Sequence, residues 1–261
     1  MNGALWVSKT GLAAQDTALK TISNNLANVN TNGFKRDRAV FQDLLYQIKT
    51  QPGGQSSQNS EIPSGLQLGT GVRVVGTQKV FSEGNLEVTE QPLDIAVNGR
   101  GFFQVLLPDG TISYTRDGQF HLDSEGNVVT GNGYALEPAI TIPDNSTNLT
   151  ISTDGIVSVT VAGNASPTEI GNLTLVDFIN PAGLEAIGNN LFLQTGSSGD
   201  PQEGTPGIDG LGTTEQGMIE TSNVEIVEEM VNMITTQRAY EMNAKVVTTA
   251  DQMLQYVTQN L

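Results

Sequence analysis

His121 is the only histidine in the chain. Imidazole is the side chain best suited to moving protons near neutral pH, but one histidine does not make a multi-histidine zinc site. It lies in the strand-like run Gln119–Asp123, where a lone histidine reads as structural. Gly99-Arg100-Gly101 has the opening of a dinucleotide fingerprint. It lacks the third glycine and the helix that would receive a pyrophosphate, so it reads as a tight turn between strands. Asp123-Ser124-Glu125-Gly126-Asn127 has the composition of a calcium loop without its ligand register or closing glutamate. Carboxylates are plentiful, and two across a cleft hydrolyse glycosides. With aromatic residues at only 5% of the chain, few rings are present to stack against sugars. There is no cysteine, which excludes disulfides, thiolate metal sites and thiol nucleophiles. The expectation is a protein without catalytic, cofactor or metal site.

The elements that would position such residues suggest an assembly instead. Leu5, Leu12, Leu19 and Leu26 recur every seven residues, with Ser8, Gln15, Ile22 and Val29 three positions behind. This is coiled-coil spacing over about four heptads. The run NVNTNGF is dense in turn formers, so the helix should stop near Asn28, with Gly33 free to take a left-handed conformation. Residues 34–48 fit either a short amphipathic helix or an extended segment. The Gln-, Ser-, Gly- and Pro-rich stretch that follows reads as a long loop or extended arm whose ordering needs another subunit.

From about Val72 to Gln194, short alternating runs such as VRVVGTQKVF, FFQVLL and IVSVTVAG are punctuated by Asp-Gly and Gly-Asn turns. That pattern predicts antiparallel hairpins in a sandwich or barrel-like domain. The last forty residues predict a second helix of about 60 Å. Ser222 and Glu225 have the spacing of a capping box at its start. Met233, Tyr240, Val247, Leu254 and Leu261 repeat every seven residues. Val227, Met230, Val231, Ile234, Val246, Met253 and Val257 add apolar surface beyond that seam, so burial on several sides is expected.

The formal net charge is −16, which opposes nucleic-acid binding and anchoring on anionic lipid. Residues 1–49 nevertheless carry six basic and three acidic groups. The segment from Met218 onward carries two basic and six acidic groups. Two helices of opposite charge with heptad seams should pair, with a β domain looping out between them. No apolar run has the length of a membrane span, and the N-terminus lacks the layout of a cleaved secretory signal.

These residues resemble a known family. The stretch ISNNLANVNTNGFKR (22–36) closely resembles the N-terminal signature of bacterial flagellar rod and hook proteins. ETSNVEIVEEMVNMITTQRAYEMNAKVVTTADQMLQ (220–255) is similar to the family's C-terminal signature. VNGRGFFQVLLPDGTISYTRDGQFHLDSEGNVVTGNGYALEP (97–138) is similar to its shared β-domain motif. Chain length and the segment 51–72 look most like the members that form the distal rod of the basal body. The resemblance implies a non-enzymatic subunit that stacks helically into a rigid tube transmitting torque to the hook. It implies export without a cleaved signal peptide and assembly in the periplasm. The implied partners are further copies of the chain, the proximal rod and hook proteins, the P and L ring proteins and the flagellar export apparatus, with no nucleic acid and no membrane insertion. A proximal rod or hook-type axial protein is the alternative within the family. A secreted β-domain adhesin or enzyme with oligomerising helices is the alternative outside it.

The expected fold is therefore α+β, with long N- and C-terminal helices paired as a coiled coil. Residues 1–33 with 218–261 should form the helical core, 34–75 with 205–217 an extended connector, and 76–204 a β-rich outer domain. The expected subunit-interface residues are Leu5, Leu12, Leu19, Ile22, Leu26, Val227, Met230, Ile234, Tyr240, Val247 and Leu254.

Overall fold

A computed structural model describes residues 3–51, 55–57, 60–61, 64–162 and 166–259. The chain divides into two compact units. One comprises Met1–Ala27, Asp37–Gln78 and Glu225–Leu261, and the other Asn28–Arg36 and Lys79–Val224. The architecture is α+β, with two long helices packed on each other in the first unit and antiparallel β structure filling the second. Position 261 of the C-terminal heptad lies outside the described residues, as does the side chain at 257.

In the helical unit, α1 spans Gly3–Ala27 and α2 spans Ile226–Gln259. Its 34 residues make α2 about 51 Å long. The helix starts later than the Ser222–Glu225 spacing predicts. Its first turn closes with Glu229 N–H donating to the Glu225 carbonyl at 3.0 Å, which puts Glu225 at the cap. The Ser222 hydroxyl accepts from Val224 N–H instead. The cause is tertiary, because Asn223 and Val224 are held in the β unit, as described below. Glu228 and Glu229 stand in the first turn, where the helix dipole favours negative charge. The two helices run antiparallel, since Asn25 contacts Glu229 and Gly11 contacts Asn243.

The segment after α1 that fitted either helix or extended chain is extended. Asp37–Asp43 pairs with Val72–Lys79. Tyr46–Thr50 pairs antiparallel with Leu66–Gly69, matching Gln47 with Leu68 and Tyr46 with Gly69. Gln55–Ser57 pairs with Ser60–Glu61. The stretch read as an arm is thus a β ribbon in its described residues. The run beginning at Val72 falls in this helical unit rather than in the β domain, paired with the strand Asp37–Asp43 of the same unit.

The second unit is built on a seven-stranded antiparallel sheet. Its order is Phe120–Leu122, Val128–Thr130, Ala135–Glu137, Phe103–Leu106, Ile112–Thr115, Leu191–Leu193 and Glu185–Gly188. A three-stranded sheet of Ser146–Ile151, Ile156–Val161 and Thr168–Asn172 adjoins it. Ile95, Val97, Phe103, Phe120, Leu136, Val157 and Leu175 form the main apolar core. A second cluster joins Phe102, Tyr114, Phe178 and Phe192 through edge-to-face ring contacts, with Val176 packed among them. Two short ribbons pair late segments with early ones. Thr213–Gln216 lies against Ile95–Asn98, and Met218–Glu220 against Leu86–Val88.

Candidate assembly interface

Where α1 meets α2, the contacting side chains are small or polar. Gly11, Ala14, Ala18, Thr21 and Asn25 alternate at spacings of three and four, which is heptad spacing offset from the leucines. Of these, Ala14, Thr21 and Asn25 are buried, as is Ser8 nearby. On α2, Glu229 and Ala250 are buried and Thr236 and Asn243 half-buried, again seven residues apart. A Cβ added at Gly11 would stand 3.1 Å from the Asn243 amide nitrogen. Small facing residues let helix axes approach closely.

The eleven expected interface residues divide accordingly. Leu5, Leu12, Leu19, Ile22, Leu26 and Val247 are half-buried. Val227, Met230, Ile234, Tyr240 and Leu254 are exposed, from 41% at Tyr240 to 68% at Val227. Ile226, Val231, Met242, Val246 and Met253 are exposed as well. Isolated exposed apolar residues are ordinary, but this many on one helix leaves a large apolar area in water.

Two polar clusters were not anticipated from the sequence. In the helical unit, the fully buried Asn25 amide donates to the Asp37 carbonyl at 2.8 Å and accepts from Asp37 N–H at 2.9 Å. It also donates to Glu229 at 3.4 Å, so a single side chain joins α1, α2 and the strand that follows α1. In the β unit, Lys35, Arg116 and Glu220 are all buried. Glu220 Oε1 accepts from Lys35 Nζ at 2.5 Å and from Gly84 N–H at 2.9 Å, and Oε2 from Arg116 at 3.4 Å. Lys35 also donates to the Ser82 carbonyl, and Arg116 to the carbonyls of Val97 and Gly99. The Arg116 guanidinium lies over the Phe102 ring, and its Nε has no hydrogen-bond partner among the described residues.

Burial holds the Lys35 ammonium below its ordinary range, against the pull of Glu220, and the Arg116 charge adds to the lowering. Burial likewise lowers Arg116. Nearby, Asn223 accepts from Arg36 N–H and donates to the carbonyls of Val80 and Ser82. Gly33 N–H donates to the Glu220 carbonyl at 2.8 Å. Gly33 has φ +67°, and a Cβ there would lie 2.7 Å from Asp117 N, so both backbone and space require glycine.

The residues considered for chemistry have local roles. His121 is exposed on its strand, and no group of metal-ligating side chains occurs among the described residues. Asp123–Asn127 is a hairpin turn, closed by Asp123 N–H donating to the Asn127 carbonyl and Gly126 N–H to the Asp123 carbonyl. Gly99 and Gly101 both have positive φ, forming the turn expected there, and Arg100 pairs with Asp177.

Three family models match the chain in order. Residues 5–35 match the flagella basal body rod protein family, 96–159 the flagellar hook protein FlgE/F/G D1 domain, and 215–260 the flagellar basal body rod FlgEFG protein C-terminal family. Asn25 and Lys35 fall in the first match, Arg116 in the second and Glu220 in the third. The chain is 57% identical to the flagellar basal-body rod protein FlgG of Buchnera aphidicola subsp. Schizaphis graminum, over 98% of each chain. It is 47% identical to that of Borreliella burgdorferi over 97% of each. With that of Bacillus subtilis it shares 36% identity, over 97% of this chain and 96% of the relative. The chain belongs to the flagellar basal-body rod protein family.

Proposed function

We propose that this chain is the structural subunit of the flagellar distal rod, polymerising helically into a rigid tubular drive shaft. The observation that carries the reading is the outward apolar face of α2. The helix pair closes on small and polar residues and leaves Val227, Met230, Ile234, Tyr240 and Leu254 exposed. A surface of that kind is satisfied by neighbouring subunits. A heterologous contact repeated along an axis yields a filament rather than a closed oligomer.

In this reading the helical unit forms the tube core, with Leu5, Leu12, Leu19, Ile22, Leu26 and Val247 packing within and between subunits. The β unit forms the outer layer, and the arm over residues 51–72 reaches adjacent subunits and stiffens the tube. The protein acts mechanically and is not an enzyme. It works in the periplasmic part of the basal body, after passage through the flagellar export apparatus. There it contacts the proximal rod and hook proteins end to end and the P and L rings around its circumference.

Electron microscopy of the concentrated purified chain tests this. Open helical polymers are expected, and Leu19→Asp or Val247→Asp should abolish them while the β unit stays folded. A closed oligomer of fixed size, or normal filaments from both variants, would overturn the reading.

A further inference from the structure

Between the first turns of α1 and the ribbon lies a groove of about 610 Å³. Trp6 and Val7 line one wall, and Gln47, Leu68 and Gly69 the other. Trp6 is 48% exposed and Leu68 43%, so two apolar walls face each other across water. Lys9 lies over the Trp6 ring, and Lys49 follows Gln47 by two positions on the ribbon strand.

The far end of α2 has the complementary character. The antiparallel register of Asn25 with Glu229 and Gly11 with Asn243 brings Gly3 level with Asp251. The helix continues to Gln259, so about 12 Å of it extends past the start of α1. This extension exposes Met253, Leu254 and Tyr256. From Val246 to Gln259 its only charged residue is Asp251. Its own groove lies behind it, at the level of Trp6 and Val7. Bending back would require a kink, and α2 has neither the glycine nor the proline at which helices kink.

We propose that the groove receives the α2 extension of a second copy of this chain, seating Met253 and Leu254 between Trp6 and Leu68, with Asp251 towards Lys9 and Lys49. This rests on the polymerising reading above and names one of its contacts. Groove and extension lie at the same end of the helix pair, so neighbours in parallel orientation, shifted along the helix axis, present one to the other. The apolar pairing supplies burial, and the charges fix which end enters.

The absence of cysteine allows a clean test. Leu68→Cys and Leu254→Cys are made in separate full-length chains, mixed, polymerised and bridged with a short bis-maleimide. A two-chain product linking positions 68 and 254 is expected by mass spectrometry. A control mixture of Leu68→Cys with Leu122→Cys should give none. In parallel, Leu254→Asp should raise the critical concentration for polymerisation by about tenfold or more, with the monomer's helical circular dichroism retained. Filaments from the mixed cysteine variants without the 68–254 link overturn the groove contact and leave the polymer reading standing. The same follows if a doubly substituted chain links only within itself. Absence of polymers from the unsubstituted chain overturns both.

Discussion

The buried cluster of Lys35, Arg116 and Glu220 gives the most direct test of how the β unit is held. Glu220→Gln keeps the shape and removes the carboxylate that both cations bond to. Glu220 accepts from Lys35, Gly84 and Arg116, and both cationic partners are within the protein interior. Breaking a buried ion pair at one partner costs about 3–5 kcal/mol, because the remaining charge is left uncompensated. Here two charges remain and Arg116 Nε already lacks a partner, which places the effect at the upper end. For a unit of about 150 residues each kcal/mol lowers Tm by about 2–4 °C, so a cost near 5 kcal/mol gives a drop of roughly 10–20 °C. Trp6, the only tryptophan, belongs to the helical unit, so its fluorescence reports that unit alone. Hydrogen exchange at the Gly84 amide, whose acceptor is Glu220, reports the β unit. The variant should exchange faster at Gly84 with little change in the Trp6 melt. Replacing all three residues by apolar ones (Lys35→Met, Arg116→Met, Glu220→Leu) should cost less than Glu220→Gln alone. A Glu220→Gln shift under about 2 °C would refute the reasoning.

Other outcomes follow from the same geometry. Asn25→Ala removes both bonds to the Asp37 backbone and should cost about 1–3 kcal/mol, read as faster exchange of the Asp37 amide. Gly33→Ala forces a side chain into a left-handed position against Asp117 and should cost about 1–3 kcal/mol in denaturant unfolding of the β unit. Gly11→Ala should be nearly neutral, since a helix propensity gain of about 1 kcal/mol offsets the close Asn243 contact. Gly11→Leu should separate the helices and shift Trp6 emission. Lys35 titrates below its unfolded value of 10.5, so the unfolded chain holds more protons between the two values. Its contribution to stability therefore rises with pH across that interval, and Lys35→Met should abolish that slope in melts at a series of alkaline pH values.

The large-scale plan was legible from periodicity. Leucines every seven residues marked α1, and the alternating runs with Asp-Gly turns marked the β unit. The seam within the helix pair was not legible, because Gly11, Ala14, Ala18, Thr21 and Asn25 carry heptad spacing with almost no hydrophobic signal. The leucines that did carry that signal are only half-buried within the single chain. The start of α2 was misplaced because Ser222 and Glu225 satisfy a local rule that tertiary bonds override. Asn223 is bonded to Arg36, Val80 and Ser82, so the chain stays extended until Val224. The charged cluster could not be found by spacing, since Lys35, Arg116 and Glu220 are brought together only by the fold. Their one-dimensional trace was that each lies in a different one of the three family-like stretches.

That separation has a kinetic consequence. Lys35 and Glu220 are 185 positions apart, and their pairing closes a loop through the whole β unit. The ribbon Met218–Glu220 with Leu86–Val88 and the Asn223 bonds close with it. Such contacts require the loop entropy to be met before they return any stabilisation. A chain that emerges progressively from its N-terminus through a narrow passage would expose Lys35 and Arg116 early, without their counter-ion. Completion of the β unit would then wait for arrival of the segment just ahead of α2, coupling the last step of its folding to delivery of nearly the entire polypeptide.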